Sequence, residues 1–190
     1  GRTRSSTANL DPEAPVEQQF ETPARGGSLA GRMVGAATFD IATYEEVEHD
    51  TTATGQAAIV VGIVAVCAAI GGIGEGGAGI IGGLISAYVG WFVWAGITYL
   101  IGDKLLGGTA TWGELLRTLG FAQTPGVLRV FAFIPVLGWI AAVAAGIWML
   151  ITGIVAIRQA LDFSTGKAIL TALLGVIAYV IVAALFMGLG

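Results

Sequence analysis

The chain has 190 residues, of which 55% are hydrophobic and only 12% are charged, against about 25% charged in ordinary soluble domains. Thirteen of the 22 charged residues lie in the first 50 positions, which leaves nine for the remaining 140. This distribution excludes an ordinary water-soluble globule and indicates a polar head followed by a membrane-embedded body. The net charge of −4 argues against a nucleic-acid partner, which would need a basic surface.

The head divides into two predicted parts. Residues 1–27 combine prolines with polar residues and show no helix or strand period, so we predict a disordered polar tail. Residues 28–55 place apolar side chains mostly three or four positions apart, with Asp40 as an interruption, which predicts an amphipathic helix. Lying along the membrane surface, at the cytoplasmic interface, is one interpretation of this helix. An ordinary solvated helix that leads into the first span fits the pattern equally well.

Residues 56–190 form the predicted membrane domain. Four runs free of charged residues each supply the roughly 20 residues that a helix needs to cross about 30 Å of hydrocarbon. The four predicted spans are Gln56–Ile73, Ala78–Ile101, Val136–Ile157 and Ala168–Met187.

The stretch Trp112–Pro135 is apolar at both ends but polar in its middle. A helix there must break at Thr124-Pro125-Gly126, because Pro125 removes a backbone donor and disfavours helix at the preceding residue. If the stretch crosses the bilayer, all seven basic residues outside it share one side; if it dips and returns, Arg158 and Lys167 change sides. The positive-inside rule therefore favours an all-α protein of five spans with a broken third span, a cytoplasmic N-terminus and an external C-terminus.

Few residues could carry catalytic chemistry. His49 is the only histidine and Cys67 the only cysteine, so the sequence offers neither a metal cluster nor a disulfide. The glycine-rich run at residues 71–77 lacks the Lys-Ser/Thr end of a phosphate loop and is interpreted as a tight turn between spans. We therefore predict a protein that is not an enzyme, with no catalytic residue, cofactor or metal site.

One intramembrane polar site is predicted, formed by Glu114, Arg117, Pro125 and Arg129. An ionisable group such as Arg129 is costly inside a bilayer and marks a functional site by default. A structural role, in which Arg129 reaches the interface or bonds carbonyls freed at the break, is the more economical interpretation. Glu114 and Arg117 are three positions apart and predict a surface ion pair on one helix face. Glu114 could reach Arg129 only if the break folds one half-helix back on the other.

Small residues recur on two predicted spans. Such faces let helices approach closely where lipid provides no hydrophobic driving force, so we predict that the second and fourth spans pack as a central pair. A seam between copies of the chain, or with another membrane protein, would use the same pattern. The predicted packing residues are Gly79, Gly82, Gly83, Ser86, Ala87, Gly90, Ala142 and Gly146.

The order of a polar lead-in, two spans around a glycine turn, a broken third span and two further spans resembles the Yip-domain family of Ypt-interacting membrane proteins, in its bacterial branch. The similarity covers about residues 28–190. It is carried by residues 44–48 and 51–57, by Trp112 to Arg117 with Gly120-Phe121 and Pro125, by Ile134-Pro135 with Gly138 and Trp148, and by Ala156 to Asp162 with Thr165. The resemblance implies five spans, a cytoplasmic N-terminus and no catalytic activity. The Asp-Leu-Tyr-Gly-Pro motif of the members that bind Rab-type GTPases has no match here, so Rab binding is not carried over.

These observations predict a non-enzymatic membrane scaffold or accessory subunit of the bacterial inner membrane. It would bind other integral membrane proteins, or copies of itself, and present the acidic segment from Tyr44 to Asp50 to the cytoplasm. The alternative is a protein for permeation of a small solute or lipid, built around the broken third span and Arg129.

Overall fold

The computed structural model describes residues 27–73 and 79–188, and within these residues it is all helical, without a β-strand. The predicted tail at residues 1–27 lies almost wholly outside the described residues, as does most of the glycine turn. A π-helical segment, Leu100–Leu105, continues the fourth helix, and a 3-10 segment, Thr124–Phe133, follows the fifth. The α-helices are α1 (Leu29–Ala37), α2 (Ile41–His49), α3 (Ala53–Gly71), α4 (Gly79–Tyr99), α5 (Trp112–Ala122), α6 (Leu137–Ala160) and α7 (Thr165–Gly188).

The predicted amphipathic helix of the head is two helices, which form a hairpin. The hydroxyl of Ser28 caps α1 by accepting from the Gly31 N–H at 3.1 Å. The chain reverses at residues 38–40, where Phe39 adopts a φ of 64°, and an L residue in that left-handed region cannot continue a helix. Tyr44 and Val47 of α2 are fully buried. The hairpin therefore packs against the membrane helices and is not a single helix on the surface.

The four charge-free runs are the four long apolar helices. Ala53–Gly71, Gly79–Leu105, Leu137–Ala160 and Thr165–Val182 have mean hydropathies of 2.1, 1.7, 2.4 and 2.0. At 1.5 Å per residue each approaches or exceeds the thickness of the bilayer core, about 30 Å. Their bounds match the predicted spans to within a few residues, because charges and glycines mark the ends of these helices in the sequence.

The stretch between α4 and α6 contains α5 and the 3-10 segment, which we call the α5/3-10 pair. A capping box begins α5: the Thr111 N–H donates to the Glu114 carboxylate at 2.8 Å, and the Glu114 N–H donates to the Thr111 hydroxyl at 3.3 Å. The α-helix ends at Ala122, and Pro125 lies in the first turn of the 3-10 segment. Because proline lacks an N–H, that turn is where its missing donor matters least.

The α5/3-10 pair runs parallel to α3. A methyl group built on Gly120 would meet the Cβ of Ala57 at 2.8 Å, and one built on Gly126 would meet Val64 at 2.6 Å. Further along, Gly71 lies against the backbone carbonyl of Arg129. These contacts extend over 14 residues of α3, or about 21 Å at 1.5 Å per residue. The pair therefore lies along most of the length of α3.

Helix α6 returns antiparallel to the same pair. Near the start of α6, Gly138 packs so closely on the Ala132 carbonyl that a methyl group there would collide with it. Fourteen residues later, the Thr152 hydroxyl donates to the Ala122 carbonyl at 2.7 Å. The α5/3-10 pair is thus held between α3 and α6, with α5 buried inside the bundle and Phe131 and Phe133 of the 3-10 segment exposed.

The loop after α4 touches the loop after α6. Leu161 is 1% exposed, and its side chain fills the space beside Gly102 and Gly108. The Thr109 hydroxyl donates to the Asp162 carboxylate at 2.9 Å. These contacts put both loops at the same end of the bundle.

Candidate intramembrane cavity

Among the described residues, a cavity of about 530 Å³ that is open to the outside lies between α4, the α5/3-10 pair, α6 and α7. Cavities of roughly 300–1,000 Å³ are the usual size of small-molecule sites. On α6 the lining extends from Gly146 to Ile157, a distance of about 16 Å along the helix axis. The cavity is therefore elongated along the bundle.

Most polar residues of the lining lie away from the end of the cavity that Ile157 marks. Arg129 and Ser86 lie toward the Gly146 end, and Gln123 and Tyr179 also contribute to the wall. Trp91, Leu119 and Ile157 line the opposite end and offer mainly apolar surface. Of the four residues predicted for the intramembrane polar site, Arg129 alone is among the lining residues.

Glu114 and Arg117 do not pair with each other, contrary to the prediction. The Glu114 carboxylate accepts from the Thr111 N–H, as part of the capping box. Arg117 is 5% exposed and donates through Nε to the Val47 and Glu48 carbonyls at 2.9 and 3.1 Å, with Nη2 also at the Glu48 carbonyl. The reason is that the C-terminal carbonyls of α2 lack helical partners and attract a cation.

Glu114 and Arg129 also lie apart. The half-helices of the α5/3-10 pair continue in one direction along α3, so the fold-back that would join these residues is not found. Pro125 is buried, and the adjacent Gly126 packs against Val64. Pro125 therefore shapes the bend of the backbone and presents no polar group to the cavity.

The small residues of α4 and α6 do not form a direct central pair. Helix α4 packs mainly on α3, α5 and α7, and α6 mainly on the α5/3-10 pair and α7. The cavity separates the two small-residue faces, with Ser86, Ala87 and Gly90 on one wall and Gly146 on the other. The remaining predicted packing residues line no part of it: Gly79 is exposed, and Gly82, Gly83 and Ala142 are half-buried. The cause is that α5 packs against both α4 and α6 and so lies between them.

A buried polar cluster at the head was not predicted. The Arg32 guanidinium donates to Glu46 at 2.8 Å, to Asp50 at 2.6 Å and to the Gln56 amide oxygen at 3.0 Å. It thereby joins α1, α2 and α3. Hydrogen bonds from Thr52, followed by the bond from Arg32, lower the pKa of Asp50 to about 2. These partners are 14 to 24 positions apart, and no local pattern could have indicated them.

The acidic segment of α2 is only partly available to partners. Tyr44 is fully buried, and its hydroxyl donates to the carbonyls of Ala36 at 3.1 Å and Thr152 at 3.3 Å. Burial raises the pKa of Tyr44 above its ordinary value. Burial also raises the pKa of Glu48 to about 7. Glu45 and His49 are the exposed residues of this segment, so the expected acidic surface is smaller than the sequence indicates.

No group of three or more His, Cys, Asp or Glu side chains among the described residues could hold a metal ion.

A family model for the Yip1 domain matches residues 40–187. This chain belongs to the Yip1-domain family. The resemblance inferred from the sequence motifs is confirmed at the level of the family. Together with the four apolar helices, membership makes this Yip1-domain protein a multi-pass membrane protein. No curated protein and no solved structure gives a significant match.

Proposed function

We propose that this Yip1-domain protein is a non-enzymatic scaffold or accessory subunit with five membrane spans, the third being the α5/3-10 pair. The contact between the loops after α4 and α6 supports the span count. If both loops lie on one face of the bilayer, the chain between them crosses an even number of times. Helix α6 is one crossing, so the α5/3-10 pair would be the other.

The length of the α5/3-10 pair agrees with a crossing. Eleven α-helical residues and ten 3-10 residues give about 16 and 20 Å at 1.5 and 2.0 Å per residue. A broken helix is acceptable inside a bilayer where neighbouring protein groups satisfy the freed carbonyls. The Thr152 hydroxyl does so for the Ala122 carbonyl, at the end of α5.

The orientation follows from the basic residues. In a five-span arrangement Lys104, Arg158 and Lys167 share a side with Arg32, which we assign to the cytoplasm by the positive-inside rule. The C-terminus is then outside. A reporter enzyme that is active only outside the cytoplasm, fused after Gly190, is expected to be active. An inactive but expressed fusion would contradict this orientation.

The observation that carries the scaffold role is the unpacked glycine face at the start of α4. Side-chain atoms built on Gly79 or Gly83 would meet nothing within 4 Å. Glycine in a transmembrane helix typically permits close approach of another helix, and here the described residues provide none. We therefore assign this face to a helix of a second membrane protein or of a second copy.

Gly83→Leu tests the partner face, because a leucine there fits within the chain but blocks close approach from outside. Gly166→Leu is the matched control, since Gly166 also has open space around it and lies in the first turn of α7. Both variants are purified from native membranes in mild detergent. We expect Gly83→Leu to lose the co-purifying proteins or the oligomer that Gly166→Leu and the parent retain. Equal recovery with all three proteins would refute the assignment.

The absence of enzymatic activity stays a proposal that rests on composition. The last 140 residues carry only nine charged side chains, and hydrolytic or transfer chemistry normally needs several ionisable groups in one place.

The cavity supports a second candidate function, permeation or binding of a small solute or lipid. The specific observation is that Arg129, a cation within the α5/3-10 pair, lines a cavity otherwise rich in apolar groups. Flux through reconstituted vesicles tests it: Arg129→Ala is expected to abolish the flux, and unchanged flux would count against permeation.

A further inference from the structure

We propose that the cavity binds one amphiphile, with its anionic headgroup at Arg129 and its hydrocarbon chain directed toward Ile157. This inference rests on the second candidate function, but it requires binding alone and not transport. It also does not depend on the scaffold role, because the partner face at Gly79 and Gly83 does not line the cavity.

The shape of the cavity fits an extended chain. Its lining runs from Ser86 to Trp94 on α4 and from Gly146 to Ile157 on α6, which correspond to about 12 and 16 Å of helix. A compact polar solute would leave much of this length unfilled. A hydrocarbon chain lying parallel to the helices would contact the walls along the whole of it.

The chemistry of the lining changes along this length. At one end Arg129 supplies a planar guanidinium that can bind two oxygens of a carboxylate or phosphate at once, and the Ser86 hydroxyl lies at the same end. At the other end Trp91, Leu119 and Ile157 provide apolar and aromatic surface for the chain. A cation at one end and a hydrophobic groove at the other indicate an amphiphile with an anionic oxygen headgroup.

The small residues of the walls explain why the space exists. A methyl group on Gly146 would meet nothing within 4 Å, and the same is true of Gly153, which also lines the cavity. Larger side chains at these positions would fill the volume from within. The small residues that the sequence predicts as a packing seam thus leave room for a ligand at this place.

Trp91 and Trp94 line the cavity and provide the readout. Trp112, Trp139 and Trp148 are exposed and are replaced by Phe, so that quenching reports on the cavity. The protein in mild detergent is titrated with brominated oleic acid or brominated phosphatidylglycerol as anionic probes, and with brominated monooleoylglycerol, which has no anionic oxygen, as an uncharged probe. We expect saturable quenching by at least one anionic probe.

Two variants separate the headgroup site from the chain site. Arg129→Gln is expected to weaken binding of the anionic probe about tenfold and to leave quenching by the uncharged monooleoylglycerol unchanged. Gly146→Leu is expected to abolish saturable quenching by every probe, whereas the control Gly166→Leu retains it. Each variant is checked for an unchanged melting temperature, and Arg129→Lys, which keeps the charge, should restore part of the affinity.

The two anionic probes distinguish the source of the ligand. Tighter binding of the fatty acid would identify a free carboxylate, and tighter binding of phosphatidylglycerol a membrane phospholipid; both results support the site. Equal affinity of the parent and Arg129→Gln for the anionic probes would overturn the inference, as would saturable quenching retained by Gly146→Leu. Binding without flux in vesicles would refute permeation and leave the binding site standing.

Discussion

Leu161→Ala should destabilise the protein because Leu161 joins the loops after α4 and α6. The side chain is 1% exposed and fills the space beside Gly102 and Gly108. Neither glycine has a side chain that could move into the space that the substitution leaves. Leu161 itself lies just beyond the apolar helix Leu137–Ala160, so the ordinary energetics of burial from water are used for its side chain.

The cost has two parts. Loss of three carbon groups removes about 2.4 kcal/mol at about 0.8 kcal/mol per group. A residual cavity adds about 1 kcal/mol if the loops close part of it, within the range of about 2–5 kcal/mol that is typical of buried Leu→Ala changes. We therefore expect about 3 kcal/mol, which lowers the melting temperature of a chain of this size by about 6–12 °C.

Thermal unfolding in mild detergent, followed by tryptophan fluorescence, measures this effect. Leu105→Ala is the matched control, because Leu105 ends the π-helical segment just before the loop after α4 and is 75% exposed. Its melting temperature should stay within about 2 °C of the parent value. A Leu161→Ala protein as stable as Leu105→Ala would show that the two loops are not packed together. The loop contact that supports an even number of crossings between them, and therefore five spans, would then be lost.

Three further predictions concern the junction of the head with the bundle. Arg117→Ala should cost about 2–3 kcal/mol, because charged hydrogen bonds to the carbonyls of α2 are lost; faster amide exchange in α2, compared with Arg117→Lys, measures it. Tyr44→Phe should cost about 1–2 kcal/mol through its lost bonds to the Ala36 and Thr152 carbonyls, seen as a lower melting temperature than that of the exposed control Tyr179→Phe. Since burial raises the pKa of Glu48 from 4.5 to about 7, its contribution to stability is present below about pH 4.5 and lost as the pH rises through 7. The melting temperature should therefore fall between pH 5 and pH 8 more steeply in the parent than in Glu48→Gln, and parallel curves would contradict this prediction.

The sequence predicted the parts of the fold that depend on whether a segment lies in lipid or in water. Four charge-free runs correspond to four apolar helices, because a lipid environment excludes charges from long stretches of helix. The place of the break near Pro125 was also readable, since proline cannot donate the next helical hydrogen bond. The Thr111-x-x-Glu114 spacing is a capping-box signature, and it could have shown that Glu114 belongs to the start of α5 and not to Arg117.

Features that depend on long-range packing were not predictable. The Arg32 cluster joins three helices, and Tyr44 bonds a carbonyl 108 positions away. Both place polar groups in the interior where the local pattern indicated a surface helix. The cavity likewise follows from the placement of the α5/3-10 pair between α3 and α6, which holds the small-residue faces of α4 and α6 apart.

The central claim is that the α5/3-10 pair crosses the bilayer, and the side on which three loop positions lie tests it most directly. Single cysteines replace Thr109, Val136 or Ser164 in a Cys67→Ala background; all three positions are exposed. A membrane-impermeant maleimide is applied to sealed vesicles of known orientation, and labelling after lysis gives the total. If the pair crosses, Thr109→Cys and Ser164→Cys react from the same side and Val136→Cys reacts from the opposite side. Reaction of Thr109→Cys and Val136→Cys from one side, with Ser164→Cys on the other, would contradict the crossing.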